Sequence, residues 1–415
     1  MSALAHLVAV AALVAAPPRE ASDVLQTLGV VTHLDYRGTP YENLAQVQTA
    51  LRYVGIDRLR DMTPHANVRP YEQLAAQGFH FNFVIRSEAA EELPKTVRDL
   101  AAFQQRFKGS IVSVEGLNEI KFWPANYHGQ TGFPGGVAVQ RDLYSLMKHS
   151  AVLGKTPVLA LTLGGASAAD HARLGDVSDF SDLGNAHAYF DGRVPSSSWR
   201  FAIDLARRST SKLAQSAVTE TGYSSNPQTP QGVPSDVQAK YLLVLVCEAW
   251  RENTPATYLY QLVDDKRDAH DWSRSLGLYD VDWNPKPAAH AFHYLTQGLT
   301  STFITRAAPR AFAYALSGES TDVQSLLLRK SDGNFALIVW REVKLWDEKA
   351  RQTLVAESRL LSVTASAAHV ASIDTFTGER RSLASSHGAY PFVLEDRPLI
   401  LEFTPQSTQP ISREK

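Results

Sequence analysis

The run SVEGLNEI (113–120) carries an apolar, β-branched segment into a polar pair, Asn118 and Glu119. The run SAVTETGY (216–223) does the same with Glu220. Short continuous apolar runs of this kind are typical of strands covered by helices on both faces. Working outward from these two, further strand-like runs fall at 28–33, 55–60, 80–85, 157–163, 183–188 and 256–261, with the first pair placed at 111–117 and 217–220.

Helical periodicity fills the gaps. Residues 41–54 place Leu44, Val47, Leu51 and Val54 on one face, and Gly55 stops the helix. Residues 137–153 carry Val139, Leu143, Leu146 and Met147. A helix over 236–253 opens at Asp236, and one over 287–297 opens with Pro287 in its first turn. The interval 166–183 is the thinnest and holds only a short helix at 168–174. Strands alternating with helices in this way predict a (β/α)8 TIM barrel, an α/β fold, over residues 23–302.

Beyond residue 303 the helical period stops. Strand-like runs at 312–316, 323–329, 335–340, 354–363, 369–376 and 399–403 follow one another. Ser331-Asp332-Gly333-Asn334 supplies hairpin-turn chemistry between two of them. Residues 303–415 are therefore expected to form a C-terminal antiparallel β-sandwich. At the other end, LVAVAALVAA (7–16) within residues 1–22 has the length of a signal-peptide core, although no Lys or Arg precedes it. It is expected to mark a secreted or periplasmic protein, with a barrel-capping N-terminal segment of a cytoplasmic protein as the alternative.

Composition narrows the partners. The 415 residues carry a formal net charge of -2, with no basic patch for nucleic acid and no cationic cluster for anionic membrane. Cys247 is the only cysteine, so no intrachain disulfide forms. GxSxG, Walker, GxGxxG and HExxH motifs are absent, and no cofactor is implied. His33, Asp35, Glu119 and His187 offer a metal-ligand alternative, which is set aside in favour of a metal-free site.

In a TIM barrel the C-terminal strand ends converge on one face, where the chemistry sits. Glu119 and Glu220 then share a wall, and two facing carboxyls suit cleavage of a glycosidic bond. Asn118 can reach a sugar hydroxyl. Arg60, in LRD, can hold a carboxylate ionised. Glu115, inside its strand, needs a cation, either Arg58 or Arg60, and is read as structural. His187 and Tyr189 share strand parity and both face the mouth, with Tyr189 able to donate to Glu220. His33 and Asp35 end the first strand as a polar pair for a terminal sugar. Trp123, Tyr127, Tyr223, Tyr258, Trp272 and Trp283 are candidates for stacking on sugar faces, and Tyr260 and Gln261 end the eighth strand.

These residues resemble clan A glycoside hydrolases, the retaining barrel enzymes. THLDY, LRD, EGLNEIKFWPANYHG, TETGY, YLYQLVDD and GLYDVDWNPKPAAHA resemble a bacterial branch labelled cellulase-like or family 39-like, over residues 28–300. The resemblance implies that Glu119 is the acid/base, that Glu220 is the nucleophile, and that the substrate is a β-linked oligosaccharide or polysaccharide. As the acid, Glu119 is expected to titrate high, pushed up by Glu220, while Arg60 holds Glu220 ionised. The chain departs from many members at Ile120, where they have Pro, and in the run Tyr258-Leu259-Tyr260-Gln261, where they have Trp. A catalytically silent carbohydrate-binding barrel and a transglycosylase use the same residues and are the alternatives.

Overall fold

A computed structural model describes residues 18–301, 311–318 and 321–406. The apolar run at 7–16 and the expected domain boundary at 302/303 lie outside them. Eight parallel strands form one sheet: β1 Leu28–Val31, β2 Arg58–Met62, β3 His80–Ile85, β4 Ile111–Leu117, β5 Val158–Leu159, β6 Gly184–Tyr189, β7 Ser216–Gly222 and β8 Thr257–Leu259. Their order is β5-β4-β3-β2-β1-β8-β7-β6. A Leu159–Leu183 bridge, with Ala160 N donating to Leu183 O at 3.0 Å, closes the seam between β5 and β6.

A helix follows each strand: α1 Leu44–Val54, α2 Arg69–Ala75, α3 Leu93–Arg106, α4 Gly132–His149, α5 Ala168–Leu174, α6 Trp199–Ala206, α7 Ser235–Arg251 and α8 Pro287–Leu299. The short α5 is capped at both starting donors, because Ser167 and Asp170 exchange side-chain to backbone bonds. The second strand starts three residues later than its sequence pattern suggests. Gly55 ends α1 in a left-handed conformation, so 55–57 form the connection. Arg60 therefore lies in mid-strand rather than at its end.

The C-terminal region packs two sheets. Strands β9 Tyr314–Gly318, β12 Arg359–Ala365 and β15 Ala389–Leu394 form one. The other contains β10 Val323–Arg329, β11 Phe335–Arg341, β16 Leu399–Pro405, β13 Ala367–Asp374 and β14 Arg380–Ser382. Leu337, Val339, Val363, Phe392 and Phe403 build the core between them. The opposite parity of β11 faces the barrel: Ile338 and Trp340 join Trp250 and Phe292 in a single apolar cluster. Both faces of β11 are covered, which explains its unbroken run FALIVWR. Trp340 Nε1 donates to Glu248 Oε1 of α7 at 2.8 Å, and Lys240 of α7 pairs with Asp396 at 2.6 Å. The strand Arg19–Glu20 adds in parallel to the edge of β10, so residues near the start of the chain are tied to the sandwich.

Among the described residues, no helix is long and apolar enough to cross a membrane.

Candidate active site

The site is built from the ends of β4 and β7 outward. Glu220 sits within β7 and is 7 % exposed. Arg60 Nη1 donates to its Oε1 at 2.6 Å, and the Tyr189 hydroxyl donates to its Oε2 at 2.9 Å. The same guanidinium grips Glu115 with Nε at 2.9 Å and Nη2 at 2.7 Å, and Nη2 also reaches Asn118 Oδ1 at 2.7 Å. Glu115 accepts further bonds from Asn82 at 3.0 Å and Thr219 at 3.2 Å. Arg60, rather than Arg58, is thus the partner that a carboxylate inside a strand requires. A buried cation between two carboxylates and an amide oxygen has four acceptors to offset its desolvation. Burial lowers its pKa, but Glu115 and Glu220 more than reverse that, and the guanidinium stays charged.

Glu119 is held differently. Its strand ends at Leu117, and Glu119 itself adopts φ 45°, in the left-handed region. Its N–H donates to Thr162 Oγ1 at 3.0 Å. Its Oε1 accepts from His187 Nδ1 at 2.9 Å, and that same nitrogen lies 3.6 Å from Glu220 Oε2. One oxygen of each carboxylate and a ring nitrogen of His187 all fall within 4.8 Å of one another. Such a trio has the composition of a metal site. A cation there would stand beside the Arg60 guanidinium, already 2.6 Å from Glu220.

The charges set the titration. Burial pushes the Glu119 carboxyl up, but the His187 hydrogen bond and the positive charges of His187 and Arg60 outweigh it. Glu119 is held below the ordinary carboxylate value, contrary to the sequence-based expectation that its neighbour Glu220 would raise it. His187 is the counterpart. Burial pulls its imidazole down, yet the charge of Glu220 and the bond to Glu119 raise it above the ordinary histidine value. The two shifts run in opposite directions, so the pair favours a proton on His187 over one on Glu119.

A cavity of about 300 Å³ opens beside the pair, lined by His33, Tyr36, Arg60, Asp61, Glu88, Asn118, Glu119, Trp123, Glu220 and Tyr260. His33 stacks on Tyr36 at 4.3 Å and meets Tyr260 edge-on at 5.5 Å. Burial lowers its pKa to about 4, so it presents a neutral imidazole. Trp123 is 63 % exposed at the rim, suited to a stacking platform. Trp272 stands edge-on to Tyr189 at 5.6 Å. Asp35 bends away to pair with Arg86 and does not line this cavity.

Four aromatic or polar candidates lie elsewhere. Tyr223 is buried, stacked on Phe190 at 4.9 Å, and its hydroxyl donates to Arg193 O at 2.8 Å. Tyr127 is buried with its hydroxyl on Asp142 at 2.9 Å. Gln261 accepts from Tyr41 at 3.0 Å and is 1 % exposed. Tyr258 is buried against Gly29 at the base of β1. None of the four can stack on a sugar. Trp283 packs beside Tyr279 at 6.0 Å. Gly222 does not make a turn after Glu220. It lies in β7, where a Cβ would come within 2.6 Å of Tyr260 O.

Asp61 was not singled out by the sequence. It accepts from Thr32 Oγ1 at 2.8 Å and from Leu34 N at 3.0 Å, which fixes the backbone on both sides of His33. Burial and the charge of Asp35 raise its pKa to about 7. The signal was its place in LRD beside Arg60, masked by reading the strand as ending one residue earlier.

No family model matches the chain. No curated protein matches it in sequence either. Solved structures do share its fold. A family 39 glycoside hydrolase from the gut symbiont Bacteroides cellulosilyticus WH2 superposes with a TM-score of 0.63 at 15% identity, over 92% of this chain and 82% of that one. A glucosidase from Croceicoccus marinus gives 0.65 at 11% identity, over 95% and 99%. A monomeric β-xylosidase from Caulobacter crescentus CB15 gives 0.57 at 13% identity, over 95% and 98%. The chain thus has the two-domain fold of these glycosidases, as the sequence resemblance implies.

Proposed function

We propose that this chain is a retaining β-glycoside hydrolase acting on an oligosaccharide or polysaccharide. The observation that carries the reading is the carboxylate pair: one oxygen of Glu119, just past β4, lies within 4.8 Å of one oxygen of Glu220, in β7, which favours the closer of the two spacings such pairs adopt. Retaining enzymes hold their carboxyl groups about 5–5.5 Å apart, whereas inverting ones need roughly 6.5–9.5 Å to admit a water. The fold shared with glycosidases supports the same class.

The two carboxylates take unequal parts. Glu220, held by hydrogen bonds from Arg60 and Tyr189, attacks the anomeric carbon as the bond to the leaving oxygen breaks. Glu119 gives that oxygen a proton. His187 is the reservoir, since its Nδ1–H already points at Glu119 Oε1 at 2.9 Å. Sugar binding strips water from Glu119, which favours its neutral form and draws the proton across. Glu119 then accepts a proton from the water that attacks the glycosyl–Glu220 ester, releasing the sugar and restoring the carboxylate. His33 Nε2 and His187 Nε2 are buried without a partner among the described residues, and sugar hydroxyls would satisfy them. Asn118, with its carbonyl oxygen on Arg60, has an amide that no side chain or backbone carbonyl among the described residues is shown to accept from, and it can donate to the 2-hydroxyl.

Proton NMR of the first product from aryl β-glycosides tests the reading. The β-anomer should appear first and mutarotate afterwards. An α-anomer appearing first would mean inversion, and binding of oligosaccharides without turnover would favour a silent barrel. Transfer of the sugar to added acceptors in preference to water would mark a transglycosylase.

A further inference from the structure

The segment after β5 backs directly onto Glu119. Thr162 Oγ1 accepts from Glu119 N at 3.0 Å, Thr162 O accepts from Ile120 N at 3.0 Å, and Leu163 O accepts from Lys121 N at 3.1 Å. Thr162 N in turn donates to Leu117 O at 3.0 Å. Four bonds thus clamp the left-handed turn at Glu119 to this segment. Two consecutive glycines follow, Gly164 at φ 69° and Gly165 at φ 50°. A Cβ on Gly164 would lie 2.8 Å from Glu119 Cβ, 2.9 Å from Glu119 Cδ, the carboxyl carbon itself, and 2.8 Å from Phe122 Cδ2. Gly165 differs in lacking the Glu119 contact among its nearest neighbours: the three atoms nearest a Cβ there all belong to the Phe122 ring, the closest at 3.0 Å.

We propose that the Thr162–Gly164 segment is a positioning element for the acid/base, and that the bare Cα of Gly164 sets how far back the Glu119 carboxyl can sit. With that space open, the carboxyl retracts to His187 and leaves room for a glycosidic oxygen in front of it. With a methyl there, the carboxyl is driven forward, its bond to His187 is lost, and the acid no longer meets the leaving oxygen. Neither Thr162 nor Gly164 touches the substrate; both act through Glu119. The inference rests on the assignment of Glu119 as acid/base in the proposed function.

Leaving-group dependence separates this role from ordinary destabilisation. An alkyl or sugar leaving group needs protonation, while dinitrophenolate does not. In Gly164→Ala, kcat/KM for an alkyl β-glycoside should fall about 100-fold, the size of a lost general acid. For the dinitrophenyl β-glycoside kcat/KM should hold within a few-fold, and azide should raise kcat by replacing the water that needs a base. Gly165→Ala also places a side chain in the left-handed region and against the Phe122 ring, without a Glu119 atom among its nearest neighbours, so it is the control: its alkyl-to-dinitrophenyl ratio should match wild type. Thr162→Val, which removes the acceptor for Glu119 N, should move the ratio in the same direction by a smaller factor, and it decides the matter if Gly164→Ala does not fold. Glu119→Ala fixes the full size of the shift.

A wild-type ratio in folded Gly164→Ala, an equal shift in Gly165→Ala, or an unchanged ratio in Thr162→Val where only that variant folds would overturn the proposal. Failure of the underlying reading looks different: Glu119→Ala itself would show no leaving-group dependence, or wild type would cleave neither substrate.

Discussion

The two glutamates share a pocket, but their walls are made differently. Glu220 lies within a strand and meets donors that keep their protons, Arg60 at 2.6 Å and Tyr189 at 2.9 Å. The burial and nearby charge around Tyr189 raise its hydroxyl pKa well above the ordinary value, so it remains a donor. Glu119 lies beyond its strand end, in a left-handed turn, against a histidine, a titratable group whose pKa the nearby carboxylates raise. One wall fixes a charge and the other stores a proton. A double displacement needs this division, because the nucleophile must stay ionised while the acid/base changes state twice.

The largest effect expected is on the fixed wall. Glu220→Gly should abolish hydrolysis while leaving sugar binding largely intact, because the group acts mainly in the transition state. Azide with an activated β-glycoside should then restore turnover and give the α-azide. Near-normal hydrolysis by that variant would erase the distinction between the walls.

Arg60→Met comes next. It leaves two carboxylates, one of them fully buried, without their cation. Removing one partner of a buried ion pair costs about 3–5 kcal/mol. The chemical-denaturation midpoint should fall accordingly, and kcat/KM should fall with it because Glu220 loses the donor that orients its Oε1. An unchanged kcat/KM in the folded variant would show that Arg60 serves the barrel and not the nucleophile.

The proton-storing wall makes a prediction about the basic limb of the pH profile. The pair of Glu119 and His187 is active while it holds one proton, and it loses that proton as pH rises through the raised value of His187. The basic limb of kcat/KM should therefore lie above about 6.5, the ordinary histidine value. In His187→Asn it should move down, because the last proton then sits on Glu119 alone. A basic limb that does not move would assign the proton elsewhere.

The smallest effect is expected at Tyr223, outside both walls. Tyr223→Phe removes one buried hydrogen bond, at about 1 kcal/mol. Thermal stability should drop slightly and kcat/KM should not change. A loss of activity without a loss of stability would place Tyr223 back in the site.

Much of this was legible in the sequence, for a definable reason. Parallel strands under helices announce themselves as short apolar runs, and their ends must converge, so Glu119, Glu220, His187 and Tyr189 could be gathered without coordinates. Strand parity was the strongest tool and was applied unevenly. It places His187 and Tyr189 on the inner wall, and the same count from Glu220 turns Tyr223 outward, as the same count from Tyr260 turns Gln261. Both residues are buried outside the cavity. The strand β15 was not read, because Pro391 interrupts it; it is an edge strand, where proline costs no ladder bond. The direction of the Glu119 shift is not legible in its own run of sequence, because the imidazole that sets it comes from another strand. Distances among three side chains from three different strands are not encoded in any one run of sequence.

The central claim is that Glu220 forms a covalent glycosyl ester. Incubation with gluco- and xylo-configured 2-deoxy-2-fluoro-β-glycosyl fluorides, followed by intact-mass and peptide mass spectrometry, tests it directly. The account predicts time-dependent inactivation, a mass gain of one fluorosugar, and a single labelled peptide carrying the ester on Glu220, within SAVTETGY. A label on Glu119, or an active enzyme that turns over aryl glycosides yet never accumulates the adduct on Glu220, would contradict it.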